Sequence, residues 1–478
     1  MTWNPGASLP LPPPIVPVAY AEPTPPRREN RVAILISWLV IIGVIAFVGV
    51  ENWRSSHDPR MERAVSSIEM EITSRGLIGY ATLLRKAGMS GPLEAKMPDL
   101  ARAATASATG ASQSLMAVTV VGELQGKAAA LARLKSIKPQ VDGARQSAVA
   151  VDRKLQADYD VLQTIYSASP DELSAKDRTT LESDLGWFGK LALVAGLPDS
   201  NPLRHSILKA AMRATVATFS VEILLVVALV AGLVLLIIAT VKLTDGKLKL
   251  NYKPAPFAGS AFIEMFALYI VGFVSIGRIA HALHATSLLT VYGFASIWII
   301  ACCFWPRVRG LSFSEIRTGL GWTTGRGILT EAAMGVVGYI AFLPILALAV
   351  VVTAILGRIS HEHAMHPIIF EAATQSKSAI IGLYLLASGF APIVEETMFR
   401  GALFHHLRRT HRWLLSALLT GLIFAAIHPQ GWTAIPVLGG IGFAFCGIRE
   451  WRGNVIASAT AHAMNNAVAM TMMFLILG

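Results

Sequence analysis

The chain has 478 residues, only 15% of them charged, against about 25% in an ordinary soluble domain. Its mean hydropathy is +0.54 and its apolar residues cluster in blocks of helix-spanning length, which argues against a purely soluble enzyme and for an all-α polytopic membrane protein. The formal charge is +11, but the basic residues flank apolar blocks, a pattern of topology control rather than nucleic-acid binding.

Residues 1–31 are rich in proline, from Pro10 to Pro26, and cannot build a packed core. A disordered tail is expected there. Arg27, Arg28 and Arg31 then precede 19 uncharged residues, Val32 to Val50. The run starts too far from the terminus for a signal peptide and lacks a small-residue cleavage site, so it reads as a retained span with a cytoplasmic amino end.

Residues 51–210 contain no uncharged run long enough to span. Apolar residues recur at helical spacing: Met61, Val65, Ile68 and Ile72, then Leu155, Tyr159 and Leu162, then Leu181, Leu185 and Phe188. Pro198, Asn201 and Pro202 interrupt the pattern. An extracytoplasmic helical region without a catalytic cluster is expected.

Residues 211–254 hold a second span, about Ala214 to Val241, and a basic linker with Lys242, Lys247 and Lys249. Further apolar blocks follow at about Phe257–Ile279, Ser287–Trp305, Ile328–Leu356, Ala379–Leu403, Trp413–Ile427, Ala434–Ile448 and Val455–Leu477. That makes nine spans. Residues 307–309, 408–412 and 449–452 supply arginines that fall on one side of this count, the cytoplasmic side by the positive-inside rule. The expectation is a multi-pass protein of a bacterial-type cytoplasmic membrane with an extracytoplasmic carboxy end. Cys302, Cys303 and Cys446 lie in apolar blocks and form neither a zinc knuckle nor a disulfide scaffold.

The polar residues inside these blocks carry the chemistry. Ala391 to Arg400 places Glu395 and Glu396 in an apolar run. Intramembrane carboxylates are costly and face a partner or a wet cavity. Glu396 and Arg400 are four apart and share a helical face, so a structural salt bridge is one reading. It leaves Glu395, rotated by about 100°, without a partner. His428 closes the run Gly421–Ile427, and His462 and Asn466 share one face of the last block. A carboxylate can take a proton from water, a histidine can orient that water, and a second histidine with an asparagine amide can stabilise an oxyanion. The depths differ: Glu395 is about 20 Å of helix from Arg408, and His462 about 12 Å from Asn454. A tilt or break must close that gap if they meet.

Glu395-Glu396-xxx-Arg400, Phe424-xxx-His428 and His462-xxx-Asn466 resemble, in order and spacing, the three motifs of the CPBP family. This is the CAAX-prenyl-endopeptidase and bacteriocin-processing (Abi) group of glutamic-type intramembrane proteases. The resemblance covers about residues 255–478. It implies an endopeptidase acting on a membrane-associated protein or peptide without a cofactor. Glu395 and His428 would activate water, and His462 and Asn466 would form the oxyanion site. Glu396, Arg400 and Phe424 would support them. The long helical region and the proline-rich tail depart from the compact family pattern. Ligand chemistry alone also permits a metal at Glu395, His428 and His462, whereas the resemblance implies metal independence. His361-Glu362-His363-Ala364-Met365-His366 resembles a zincin motif, but its outer histidines are five apart rather than four, which reads as a polar loop. A noncatalytic scaffold, immunity protein or transporter-like protein is the alternative, since buried charges also serve coupling.

Overall fold

The computed structural model describes residues 29–477, except 90, 92–94, 107, 109, 145–149, 284–287 and 361–376. The proline-rich stretch to residue 28 and the histidine-rich motif at 361–366 lie outside the described residues. Every described element is helical.

The first span is α1, Arg31–Ser56, capped by the Asn30 side chain on the amide of Ala33. Then come α2 (Pro59–Lys86), α3 (Met97–Ala104), α4 (Ala111–Gln125), α5 (Lys127–Ala144), α6 (Ala150–Ser167), α7 (Ala175–Leu185) and α8 (Trp187–Leu193). These helices pack around a core of their own that includes Met70, Ile78, Leu115, Val118, Leu162 and Phe188. Leu155, Tyr159, Leu162, Leu181, Leu185 and Phe188 are buried, as their spacing predicts. Val65, Ile68 and Ile72 are half-buried instead. The fully buried line of α2 runs through Met70, Ser74, Ile78 and Ala81, because α2 also packs on the next long helix.

That helix is α9, Pro202–Thr244, 43 residues long. Asn201 caps it and Pro202 opens it, so the residues that break one helix start another. At 1.5 Å per residue it is about 65 Å long, roughly twice a bilayer core. Its first half buries Ile207, Leu208 and Ala211 in the helical region. Arg204 there forms a two-pronged ion pair with buried Glu123, at 2.7 and 2.9 Å. Its second half exposes Ile223, Val226, Val230 and Ile237 as a lipid-facing surface does. α9 is thus one rod shared by the extramembrane bundle and the membrane core.

The membrane part continues with α10 (Ala261–Ala282), α11 (Leu288–Val308), α12 (Phe313–Leu320) and α13 (Ile328–Ser360). A continuous helical rod from Lys377 to Arg408, here α14, precedes α15 (Trp413–Ala426), α16 (Ile435–Arg452) and α17 (Val455–Leu477). Glycines let the backbones approach closely. A methyl at Gly232 would collide with the Ile340 carbonyl, one at Gly335 with the Ala457 carbonyl, and one at Gly442 with Gly421. Small residues serve this role between membrane helices.

Among the described residues, five helices are long and apolar enough to span: Arg31–Ser55, Pro202–Thr244, Ala261–Ala280, Ile328–Ser360 and Trp432–Arg452. A sixth appears if Phe294–Val308 and Phe313–Leu320, bent by 118°, count as one broken span. The sequence offers nine apolar blocks, and the three outside this set are α14, α15 and α17. Trp413–Ala426 has only 14 residues. α14 is divided by turns of differing width into shorter stretches, and His462, Asn465 and Asn466 lower the apolar character of α17.

The basic clusters lie at one end of the helices. Arg409 pairs with Glu29 at 2.9 Å and donates to the Gly259 carbonyl. Arg309 pairs with Glu264 at 3.0 Å. The Tyr252 amide bonds the Glu450 carbonyl, and Arg408 grips the Glu450 carboxylate at 2.9 Å. The helical bundle lies at the opposite end, where α1 and α10 end side by side and Arg278 pairs with Glu51 at 2.6 Å.

Candidate active site

The rod α14 is not a uniform α-helix. It widens to i→i+5 turns at Leu386–Phe390 and again at Glu396–Leu403, with an ordinary α-helical turn at Ala391–Glu395 between them. Pro392 stands in that turn and cannot donate a backbone hydrogen bond. Wide turns of this kind are rare and recur at functional sites. They hold more residues per turn, so Glu395 sits nearer the basic end than an ideal helix would carry it. This reduces the depth mismatch with His462.

Glu396 and Arg400 are both fully buried and form an ion pair at 2.8 Å. The guanidinium also donates to the Gly442 carbonyl at 3.1 Å. It lies among three rings, 5.7 Å from Phe399, 4.9 Å from Phe424 and 5.1 Å from Phe445. Aromatic faces attract a cation, and more so when it is desolvated.

The same Glu396 oxygen, Oε1, lies 3.0 Å from Nδ1 of His462. An ionised carboxylate only accepts, so Nδ1 carries the hydrogen and Nε2 is left for other work. That Nε2 lies 3.7 Å from Glu395 Oε2. The gap exceeds a direct hydrogen bond and suits two groups sharing a third polar atom. Phe445 stacks on the imidazole at 4.9 Å and fixes its plane. Glu395 remains about one-quarter exposed, whereas its neighbour Glu396 is sealed. The two adjacent carboxylates therefore occupy different environments.

His428 lies just past the end of α15. Its Nδ1 donates to the carbonyl of Phe424, one turn back, which again leaves Nε2 uncommitted. The Phe424 ring joins the two histidines, 4.3 Å from His428 and 6.1 Å from His462. Glu395 and His462 are within electrostatic reach of His428. Asn466 stands apart from the other candidates. Its amide donates to the Ala387 carbonyl in the first wide turn at 2.8 Å, and its oxygen accepts from Asn465 at 3.1 Å. Tyr339 in turn donates to Asn465 at 3.0 Å.

The structure thus brings Glu395, Glu396, Arg400, Phe424, His428 and His462 around one ring cluster and ties Asn466 to α14 through Ala387. Sequence reasoning missed Phe445, Asn465, Tyr339 and the two wide turns. Asn465 adjoins a motif residue and could have been included. Phe445 sits in a glycine-rich helix with no polar neighbour to mark it. Among the described residues, no group of three or more His, Cys, Asp or Glu side chains has a geometry that could hold a metal ion.

Comparison with protein families gives one match over residues 377–468, described as Type II CAAX prenyl endopeptidase Rce1-like. Those residues include all seven candidate side chains, but they are only about a fifth of the chain and fewer than the 255–478 suggested by the motifs. Comparison with curated proteins and with solved structures finds no match. The chain is a multi-span all-α membrane protein that carries a CAAX-protease-like domain at residues 377–468.

Proposed function

We propose that this protein is an intramembrane endopeptidase that hydrolyses a membrane-associated protein or peptide. The observation that carries the reading is the pairing of Glu395 with His462. The imidazole is fixed through Nδ1 by the buried Glu396–Arg400 pair and turns Nε2 toward the Glu395 carboxylate at 3.7 Å. A water held by Glu395 and His428 attacks the scissile carbonyl. Glu395 takes the proton and returns it to the departing amine. His462 and Asn466 stabilise the negative oxygen as it forms. Asn466 has a second amide hydrogen for this role beyond the one given to Ala387. Each step uses only side chains and water.

In this proposal the basic end faces the cytoplasm, the helical region of residues 51–210 lies on the opposite side, and the chain crosses nine times. The common location of the basic clusters supports the orientation. The protein in lipid, challenged with a membrane-peptide library and read by mass spectrometry, is expected to cleave with or without strong chelators. Cleavage lost on chelation and restored by zinc would favour a metal site instead. A wild-type protein that cleaves no membrane peptide would favour the scaffold or transporter-like alternative.

A further inference from the structure

The first span lies outside residues 377–468, yet it reaches the candidate site. Asn52, near the end of α1, donates its side-chain amide to the backbone carbonyl of His428 at 2.8 Å. Beside this bond is a cavity of about 210 Å³. Ile45, Gly49 and Trp53 recur every four residues and form one wall as a single helical stripe. His428, Trp432 and Ile435 stand opposite. The walls are almost wholly apolar, and His428 is their one titratable group. Gly49 sets the depth, since a methyl group there would meet nothing within 4 Å.

We propose that this cavity receives one apolar side chain of the substrate, at a residue flanking the scissile bond, so that α1 sets the sequence preference of the enzyme. The inference rests on the proteolytic reading of His428. The volume selects the occupant. A dry cavity of about 150 Å³ holds a benzene, so this one fits a leucine, methionine or phenylalanine side chain and leaves little room for a long acyl chain. The position agrees. His428 lines the cavity and turns its Nδ1 back to Phe424, which leaves its Nε2 available to what binds beside it. Asn52 holds the backbone at the cavity rim, where the chain turns through Gly431 at φ +83°. Burying such a side chain shifts kcat/KM roughly ten- to a hundredfold over alanine.

The test uses the full-length protein in lipid vesicles and membrane peptides that differ only beside the cleaved bond, carrying alanine, leucine or phenylalanine. Wild type is expected to prefer leucine or phenylalanine over alanine by that factor. Gly49→Leu fills the cavity and should bring the ratio to one or invert it, with Gly49→Ala between. The same peptides carrying a diazirine leucine at that position report without turnover. Their crosslinks should fall in residues 45–53 and 428–435 and disappear in Gly49→Leu. An unchanged preference, crosslinks elsewhere, or labelling of these residues by a diazirine fatty acid in place of the peptide would overturn the proposal. If no peptide is cleaved but the crosslinks land there and vanish in Gly49→Leu, the pocket stands and the hydrolytic reading fails.

Discussion

Arg400 illustrates how a single side chain holds the site. Its charge is fully buried, and the Glu396 carboxylate it faces is equally sealed. Removing one partner of such a pair leaves an uncompensated buried charge, at a cost of about 3–5 kcal/mol. Arg400→Ala is therefore expected to lower both the yield of folded protein and its thermal midpoint. Normal yield and stability in that variant would contradict a structural pair. Asn466→Ala removes a smaller, locally satisfied group. It should fold and lose activity by about 10²–10³, the range typical of an oxyanion donor. Wild-type rates in that variant would assign Asn466 to helix packing alone. The Glu396–Arg400 pairing was legible from a spacing of four on one helix. The bond from His462 to the same carboxylate was not, because it links residues 66 positions apart on different helices. Phe445 was hidden for the same reason.

At the scale of the elements, α14 and the extramembrane bundle differ in what their sequences reveal. Helical periodicity predicted buried residues of α6 and α7, which each present one face to one core, whereas the short α8 is buried on most sides. Periodicity did not predict the wide turns of α14, which have no periodic signature and depend on how neighbouring helices accommodate the extra residue. The bundle also contains a polar group that periodicity does not mark. Asp158 on α6 is buried. Burial first, and then the negative charge of Asp184, push its carboxyl up to about 7, with Lys154 opposing them. The folded state thus favours the protonated acid, while the unfolded chain ionises near the ordinary 3.8. Both states are protonated at lower pH, so the folded protein is not penalised there. It loses stability as pH rises from about 4 through about 7. The thermal midpoint of the bundle transition should fall between pH 5 and 8, and Asp158→Asn should flatten that fall. An equally steep fall in the variant would point to another group.

For the whole molecule, the basic residues were the most legible feature. Clusters far apart in sequence converge on one end, with Glu29, Gly259, Glu264 and Glu450 as their partners. The number of crossings was less legible, since the wide turns divide α14 and three polar residues, His462, Asn465 and Asn466, interrupt α17. Single cysteines at exposed positions test the topology. Lys176→Cys should react with an impermeant reagent from outside the cell, and Thr324→Cys only after the cytoplasmic face is opened. Labelling of both from the same side would contradict the proposed orientation. Glu395 is the proposed base. The cleavage rate of Glu395→Gln in lipid, beside wild type, on one peptide that wild type cleaves, reports on that role. The amide keeps the size of the side chain and cannot take the proton. A folded, substrate-binding protein with nearly all cleavage lost is expected. Cleavage at the wild-type rate would contradict it.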